Sequence, residues 1–318
     1  MVKKSLLSPE RQFELRQILQ MATLEALIDT RRWQSGDLIF QGGTSLHLAY
    51  GSPRFSEDLD FMIRSSIQPE SIVEGVKQRL SNGRWVPNDL SVSVKGGKVD
   101  NNPFAFVVTL GAENIIGAVH LKVELFSVAD KDVDTLSVRV AQMQSSSSAA
   151  QLVGPMVHMQ TLDEKEIYAD KVFAIGGRSY IKARDMFDVF WLQEQCRQRR
   201  EPLYSFNQGH LEQRLSIYSK QDPVKWLKNA ISRQQALPGL QSKLVQDLAQ
   251  WLPAQFHLPG DLMVKDSVAA LTDGIEVMRR YLGGRNGQSE SVGEQKSAVE
   301  PAQQYECECE ETPGRTPC

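Results

Sequence analysis

The sequence predicts an α+β protein, with a small mixed sheet in the first half of the chain and helices in the second. Before residue 145, segments with an apolar residue at every second position alternate with helical segments. From 162 to 282 the apolar spacing is helical throughout. A serine run at 145–148 separates the two halves, so we expect one domain at 1–145 and a helical domain at 150–283.

Local signals define the first elements. Ser8, followed by proline, is a typical helix start, and apolar residues at helical spacing extend this helix over 8–30. The apolar run 37–40 predicts a buried strand, which ends at Gly42 and Gly43. The remaining elements of this half are predicted as a helix at 44–50, a strand at 58–63, a helix at 71–80 and strands at 90–99, 103–112, 117–127 and 135–141.

The second half is predicted to be helical up to residue 282. The predicted helices span 162–175, 183–199, 208–219, 222–235, 239–251 and 263–282. Glycine, serine, glutamine and glutamate dominate beyond them, which is typical of disordered chain. We therefore expect an acidic disordered tail over 284–318, including Cys307, Cys309 and Cys318.

Composition excludes several classes of protein. Of the 318 residues, 41% are hydrophobic and 24% charged, as in ordinary globular proteins. A net charge of -3 gives no general attraction to nucleic acid, so an RNA partner needs a local basic surface. The four cysteines are too few for a disulfide scaffold, and no run reaches the ~18 apolar residues of a membrane span. We expect a cytoplasmic protein with no membrane contact.

Asp58 and Asp60 are the first candidates for chemistry. They are two residues apart on the predicted strand at 58–63, where a period of two directs both carboxylates to one face while Leu59 and Phe61 face the core. Two carboxylates on one face suit a divalent cation such as Mg²⁺. On spacing alone, a solvated acidic strand face explains them equally well.

The glycine pair is the second candidate. Gly42 and Gly43 lie between a predicted strand and a predicted helix, where backbone N–H groups can hold a phosphate. Thr44 could add a hydroxyl donor. A glycine pair alone is also consistent with an ordinary turn.

Four motifs, in order, resemble those of the AbiEii/AbiGii-type (MenT-like) nucleotidyltransferases of the DNA-polymerase-β-like superfamily. The first motif comprises 42–51 and 54–61, and the second is His-Leu-Lys-Val-Glu-Leu at 120–125. The third is a lysine-bearing helix at 163–174, and the fourth is an Arg-Asp helix start at 184–190. The resemblance implies a polymerase-β-like nucleotidyltransferase domain. One departure is Gln41, since members often have lysine there.

The resemblance also implies roles for individual residues. Asp58 and Asp60 would hold Mg²⁺ or Mn²⁺, with Glu124 as a third ligand or as general base. Lys171 would meet the nucleotide phosphates. The alternative for Glu124 is a neighbour pair with Lys122 on an edge strand, and the functional role is favoured over it. The expected nucleotide-binding residues are Gly42, Gly43, Thr44, Ser56 and Lys171.

Asp185 and Asp188 complete the predicted catalytic set. They lie one turn apart, and one of them is expected to position Lys171 or Arg184; the sequence does not decide which. Arg54 is expected to be solvated. A basic cluster is a candidate RNA surface or an ordinary charged helix flank, and it consists of Arg178, Lys182, Arg184, Arg197, Arg199 and Arg200.

The resemblance predicts transfer of a nucleoside monophosphate from an NTP to an RNA acceptor, such as the 3′ end of tRNA. Many members of this family are toxins of toxin–antitoxin or abortive-infection systems, so an antitoxin encoded nearby is expected. Two alternatives use the same site: a kinase-like phosphotransferase and a non-catalytic nucleotide-binding module.

Overall fold

A seven-stranded mixed sheet forms the centre of the molecule. The computed structural model describes residues 5–81, 90–97, 101–111, 115–144 and 157–293. The strands are β1 (Ser5–Leu6), β2 (Leu38–Gln41), β3 (Leu59–Arg64), β4 (Ser91–Gly96), β5 (Phe104–Gly111), β6 (Ile115–Ile116), β7 (Val119–Val128), β8 (Val138–Gln142) and β9 (His158–Leu162). The sheet has the order β4-β5-β7-β3-β2-β9-β8, while β1 and β6 form a separate parallel pair.

Helices cover both faces of the sheet. They are α1 (Pro9–Ile28), α2 (Gly42–Tyr50), α3 (Pro69–Ser81), α4 (Asp130–Val133), α5 (Glu164–Gly177), α6 (Ala183–Arg199), α7 (Gln208–Ile217), α8 (Pro223–Ala236), α9 (Gln241–Leu248) and α10 (Gly260–Gly293). Residues Leu237–Leu240 and Ala249–Trp251 are short 3-10 helices. None of the helices in the described ranges is long and apolar enough to cross a membrane.

The two faces of the sheet belong to two hydrophobic cores. Phe61 and Val123 pack in the core that α1 and α3 cover. Ile39 and Met62, which point the other way, pack in the core formed with α5 and the helices that follow it, including Phe187 of α6. The alternation along β2 and β3 therefore joins the first half of the chain to the helical second half.

The short strand β9 differs from the predicted organisation. It was not expected after residue 150, yet it pairs in parallel with β2 and antiparallel with β8. The Thr161 hydroxyl donates to the Phe40 carbonyl at 3.0 Å. His158–Leu162 has a single β-branched residue, so its strand conformation depends on the partners on both sides rather than on its own propensity.

The other predicted elements of the first half are present with end points shifted by a few residues. One shift affects the site, because Asp58 lies just before β3 rather than on a strand. The final helix is longer than predicted and reaches Gly293, so 284–293, expected to be disordered, is helical. The serine run at 145–148 and the tail from 294 to 318 lie outside the described residues.

Candidate active site

The glycine turn between β2 and α2 makes room for a carboxylate. Gly42 has φ +79°, in the left-handed region that favours glycine, and a Cβ there would lie 2.6 Å from Oδ2 of Asp60. Asp60 is on β3, opposite Gln41 at the end of β2. The turn and the Asp60 carboxylate are therefore in direct contact. Position 42 requires glycine for two reasons, the left-handed backbone and the closeness of Asp60.

Gly43 and Thr44, which follow Gly42 on α2, have different structural roles. A Cβ on Gly43 would lie 2.2 Å from Nη2 of Arg54, so this glycine lets a guanidinium pass along the backbone. Thr44 is fully buried, and its hydroxyl donates to the backbone carbonyl of Asp58. The prediction that this hydroxyl serves a nucleotide is not supported by this geometry, since Thr44 fixes the turn that carries Asp58.

Three carboxylates gather around the start of β3, an inner strand of the sheet. Asp60 and Glu124 are register partners on the parallel strands β3 and β7, and Asp58 precedes β3 by one residue. Burial, followed by the charges of Glu124 and Asp58, raises the pKa of Asp60 to about 6. Such crowding of negative charge is relieved when a cation binds.

The donor set suits a cation that takes few protein ligands. Within the described ranges, no three acidic, histidine or cysteine side chains are close enough to hold a metal by themselves. Glu124 instead pairs with Lys122, the neighbour pair considered from the sequence. Mg²⁺ is commonly held by one or two carboxylates together with water and substrate phosphates. Asp58 and Asp60 fit that requirement, and Glu124 as a ligand stays a prediction.

Lys171 of α5 faces the carboxylates from the helical side. Its Nζ lies 2.8 Å from Oδ2 of Asp188 and 3.2 Å from Oδ1 of Asp185, both on α6. Burial lowers the pKa of Lys171, but the charges of Asp188 and Asp185 outweigh burial and raise it. Lys171 is therefore a fixed cation at the wall of the site.

Asp188 and Asp185 are not equivalent. Asp188 is completely buried and also binds Arg54 through two bonds of 2.8 Å, from Nε and from Nη2. Asp185 lines the cavity and pairs with Arg178 at 2.9 Å. Arg54, expected to be solvated, is only 2% exposed, which corrects that prediction. Asp188 positions the cations, and Asp185 is the one of the two aspartates that reaches the cavity.

The predicted basic cluster divides into two groups. Arg178, Lys182 and Arg184 line the cavity. Arg197 and Arg199, at the far end of α6, pair with Asp266 and Glu164 instead. The first group belongs to the site, whereas the sequence suggested either an RNA surface or an ordinary charged helix flank.

Lys182 is a site residue that the predicted catalytic set omitted. Burial lowers its pKa to about 8, and the positive charges of Arg178 and Arg184 act in the same direction, against Asp185. The Arg184 guanidinium lies 4.2 Å from the centre of the Trp251 ring, which holds it in place. In the sequence, the only signal for Lys182 was its position after a predicted helix, within a basic stretch.

A cavity of about 540 Å³ joins these groups. This is within the usual range for a small-molecule site, roughly 300–1,000 Å³. Its acidic wall contains Asp58, Asp60 and Glu124, and its basic wall contains Arg54, Lys171, Arg178, Lys182 and Arg184. Its third, mainly apolar wall contains Pro103, Phe126, Ile167, Ala174 and Tyr218. Gly42, Gly43 and Ser56, predicted to bind nucleotide, also line it.

The comparison with protein families identifies the chain. The profile of the family described as "Nucleotidyl transferase AbiEii toxin, Type IV TA system" matches residues 31–249, more than half of the sequence. The chain belongs to the AbiEii nucleotidyltransferase toxin family. The predicted family and enzyme class are therefore confirmed, and an NTP substrate and an antitoxin partner follow from membership.

Two solved structures are similar to this AbiEii-family protein. MenT4, a nucleotidyltransferase toxin from Mycobacterium tuberculosis H37Rv, is similar with a TM-score of 0.54 and 15% identity, over 90% of this chain and 94% of that one. JHP933 from Helicobacter pylori gives a TM-score of 0.48 and 17% identity, over 90% and 99% of the two chains. The comparison with curated proteins gave no match. The likeness to MenT4 confirms the predicted fold class.

Proposed function

We propose that this AbiEii-family enzyme uses Mg²⁺ to transfer a nucleoside monophosphate from an NTP to an RNA hydroxyl, the 3′ end of tRNA being the leading candidate. The observation that carries the proposal is that acidic, basic and apolar side chains line one cavity, which we call its acidic, basic and apolar walls. These walls match, in turn, the metal, the triphosphate and the nucleobase of a metal-bound NTP.

The acidic wall serves the reacting phosphorus. Asp58 and Asp60 would hold the cation, which when bound neutralises triphosphate charge and lowers the pKa of the attacking hydroxyl. Glu124 stands beside Asp60 on the sheet and accepts the proton of the acceptor hydroxyl. The acceptor oxygen forms a bond to the α-phosphorus, the bond to the β-phosphate bridging oxygen breaks, and pyrophosphate leaves.

The basic wall serves the leaving pyrophosphate. Lys171, Lys182 and Arg178 converge on the cavity, where they neutralise the β- and γ-phosphates. The Gly42 and Gly43 backbone, at the start of α2, adds N–H donors at a helix N-terminus. Carboxylates and cations lining the same cavity can hold the metal-bound triphosphate for in-line displacement.

The apolar wall serves the base. Phe126 is two residues after Glu124 on β7, so both side chains face the cavity. Tyr218 packs against Phe126 with ring centres 5.4 Å apart. Aromatic and aliphatic walls of this kind hold the flat face of a base.

Labelled nucleotides test the reaction. Purified protein is incubated with tRNA and each NTP labelled at the α- or the γ-phosphate, with Mg²⁺, Mn²⁺ or EDTA. We expect label from the α-phosphate to enter RNA with Mg²⁺ and not with EDTA. Label entering from the γ-phosphate would establish a kinase-like transfer and overturn the proposal.

Matched variants connect the activity to the site. Asp58→Ala and Asp60→Ala are each expected to lower incorporation at least about 100-fold, since they remove carboxylates that hold the metal. Asp247→Ala, at an exposed carboxylate on α9, is the control and should match wild type. Equal activity of all four proteins would exclude this cavity as the active site.

The biological role follows from the family. We infer that the enzyme acts in the cytoplasm as the toxin of a type IV pair, with an antitoxin encoded nearby. Growth of cells that express wild type or Asp60→Ala, each with and without the neighbouring genes, tests the toxin role. Equal growth of both strains without those genes would contradict it.

A further inference from the structure

Arg54 connects two parts of the active site that are far apart in the sequence. Its guanidinium passes Gly43, where Nη2 lies 2.2 Å from the position that a Cβ would occupy. It ends on Asp188, 134 residues away, through two bonds of 2.8 Å. Asp188 is also 2.8 Å from Nζ of Lys171. One buried carboxylate therefore joins the glycine turn to the lysine of α5.

Charge explains what this connection does. The cluster of ion pairs around Asp188 contains three cations, Arg54, Lys171 and the partly exposed Arg178, and two carboxylates, Asp185 and Asp188. Arg54 donates one hydrogen bond to each oxygen of Asp188, so the charge of this carboxylate is already neutralised before its contact with Lys171 is counted. Without Arg54 the cluster would have no excess positive charge to offer a phosphate.

We propose that Arg54 is a positioning residue that, through Asp188, holds the Lys171 ammonium at the cavity wall and leaves its charge available to the leaving pyrophosphate. Position 43 requires glycine, because the Arg54 guanidinium occupies the space that a side chain at this position would fill. The inference rests on the proposed function, since it assumes that Lys171 meets phosphates. It adds a residue that the sequence assigned to solvent.

Binding of magnesium pyrophosphate tests this connection without requiring turnover. Calorimetry compares wild type, Arg54→Gln, Lys171→Ala and the double variant. We expect Arg54→Gln to weaken binding roughly tenfold, as loss of a charge-assisted contact does. Arg54→Gln should have little further effect once Lys171 is alanine. Effects that multiply in the double variant would show that Arg54 acts independently of Lys171 and would overturn the proposal.

Gly43→Ala is a second test that changes no charge. Its methyl group would displace the Arg54 guanidinium, so we expect the same loss of pyrophosphate binding as in Arg54→Gln. In an Arg54→Gln background the shorter side chain leaves room, and Gly43→Ala should add little. Normal binding by Gly43→Ala would contradict the proposal.

Folding controls keep the outcome interpretable. Arg54→Gln leaves Asp188 buried with Lys171 alone, so Arg54→Gln combined with Asp188→Asn, which removes both charges, is the second variant. Arg54→Lys retains charge without the two-pronged contact and is expected to recover part of the affinity. Affinity equal to wild type in a folded Arg54→Gln protein rejects the proposal. Wild-type protein that binds pyrophosphate but labels no RNA rejects the proposed function alone.

Discussion

At the scale of single residues, Asp60 is the group whose ionisation the fold changes most clearly within the acidic wall. Burial and the neighbouring carboxylates Glu124 and Asp58 raise its pKa to about 6 from an ordinary value of 3.8. The folded protein therefore holds the proton of Asp60 more tightly than the unfolded chain does. Protonation and metal binding at Asp60 compete, since a ligand carboxylate must be ionised.

This competition predicts how stability depends on pH. The stabilising effect of the Asp60 proton is complete below about pH 4 and is lost as the pH rises through about 6. Asp60→Asn cannot ionise, so in EDTA at pH 8 we expect it to exceed wild type by up to about 3 kcal/mol in free energy of unfolding. Thermal melting at pH 4–8 measures the difference.

Two controls accompany that measurement. The difference between Asp60→Asn and wild type should disappear near pH 4, and Mg²⁺ should stabilise wild type but not Asp60→Asn. Asp247→Asn, at an exposed carboxylate, should follow wild type throughout. Parallel stability curves of wild type and Asp60→Asn from pH 4 to 8 would refute the raised pKa.

The site was only partly predictable from the sequence at this scale. Asp58, Asp60 and Lys171 lie in motifs with characteristic spacing, and the structure brings them to one cavity. Arg54 could not be assigned, because its partner Asp188 is 134 residues away and a lone arginine carries no local signal of burial. Lys182 was missed because burial, the main cause of its lowered pKa, is not marked in its local sequence.

At the scale of elements, the position of α5 depends on a tryptophan packed among glycines. Trp226 of α8 is fully buried and donates from Nε1 to the Phe173 carbonyl at 2.8 Å. A Cβ on Gly176 of α5 would lie 2.3 Å from its ring, and one on Gly274 of α10 would lie 2.9 Å away. The indole therefore sets the spacing between α5, α8 and α10, and with it the place of Lys171.

Two glycines of α10 give a matched prediction. Gly274→Ala puts a methyl group against Trp226, and we expect it to destabilise the protein by about 1–3 kcal/mol. Gly283 has no atom within 4 Å of its Cβ position, so Gly283→Ala should stabilise the helix by about 0.5–1 kcal/mol. Chemical denaturation measures both. A stabilising Gly274→Ala would contradict the close packing around Trp226.

Most elements were predictable because their apolar periodicity is strong. Helix α6 has the predicted bounds, and β3 and β7 follow the period of two. The strand β9 was missed, since five residues with little β-propensity become a strand only between β2 and β8. The local sequence pattern predicts elements whose own residues favour that structure. It does not predict an element, such as β9, whose structure depends on pairing with neighbouring strands.

At the scale of the whole molecule, the sheet connects the two halves of the chain. Strand β9 comes after the predicted boundary at 145–150 and lies between β2 and β8 in the sheet. Sheet residues Ile39 and Met62 share a core with Phe187 and Trp226 from the helical half. The predicted division at 145–150 thus separates residues that form one core.

This shared core predicts the behaviour of fragments. We expect a fragment of residues 1–145 not to fold alone, since it would expose the sheet face that the later helices cover. A fragment of residues 1–283 should melt in a single transition close to that of the full chain. Circular dichroism and limited proteolysis distinguish these outcomes. A cooperative melting transition in the 1–145 fragment would establish an independent first domain.

The central place of β3 has a consequence for motion. This strand is hydrogen-bonded on both edges, to β2 and to β7, so the Asp60 amide can exchange with deuterium only when the sheet opens. Arg178 and Lys182, in contrast, lie at the two ends of the loop between α5 and α6. This loop faces solvent, since its central residue Tyr180 is 60% exposed. We expect slow isotope exchange on the carboxylate side and fast exchange on the cation side. The proposed metal ligand Asp60 would then lie on a rigid strand, whereas two of the proposed phosphate-binding cations, Arg178 and Lys182, would lie on a loop that can adjust to the substrate.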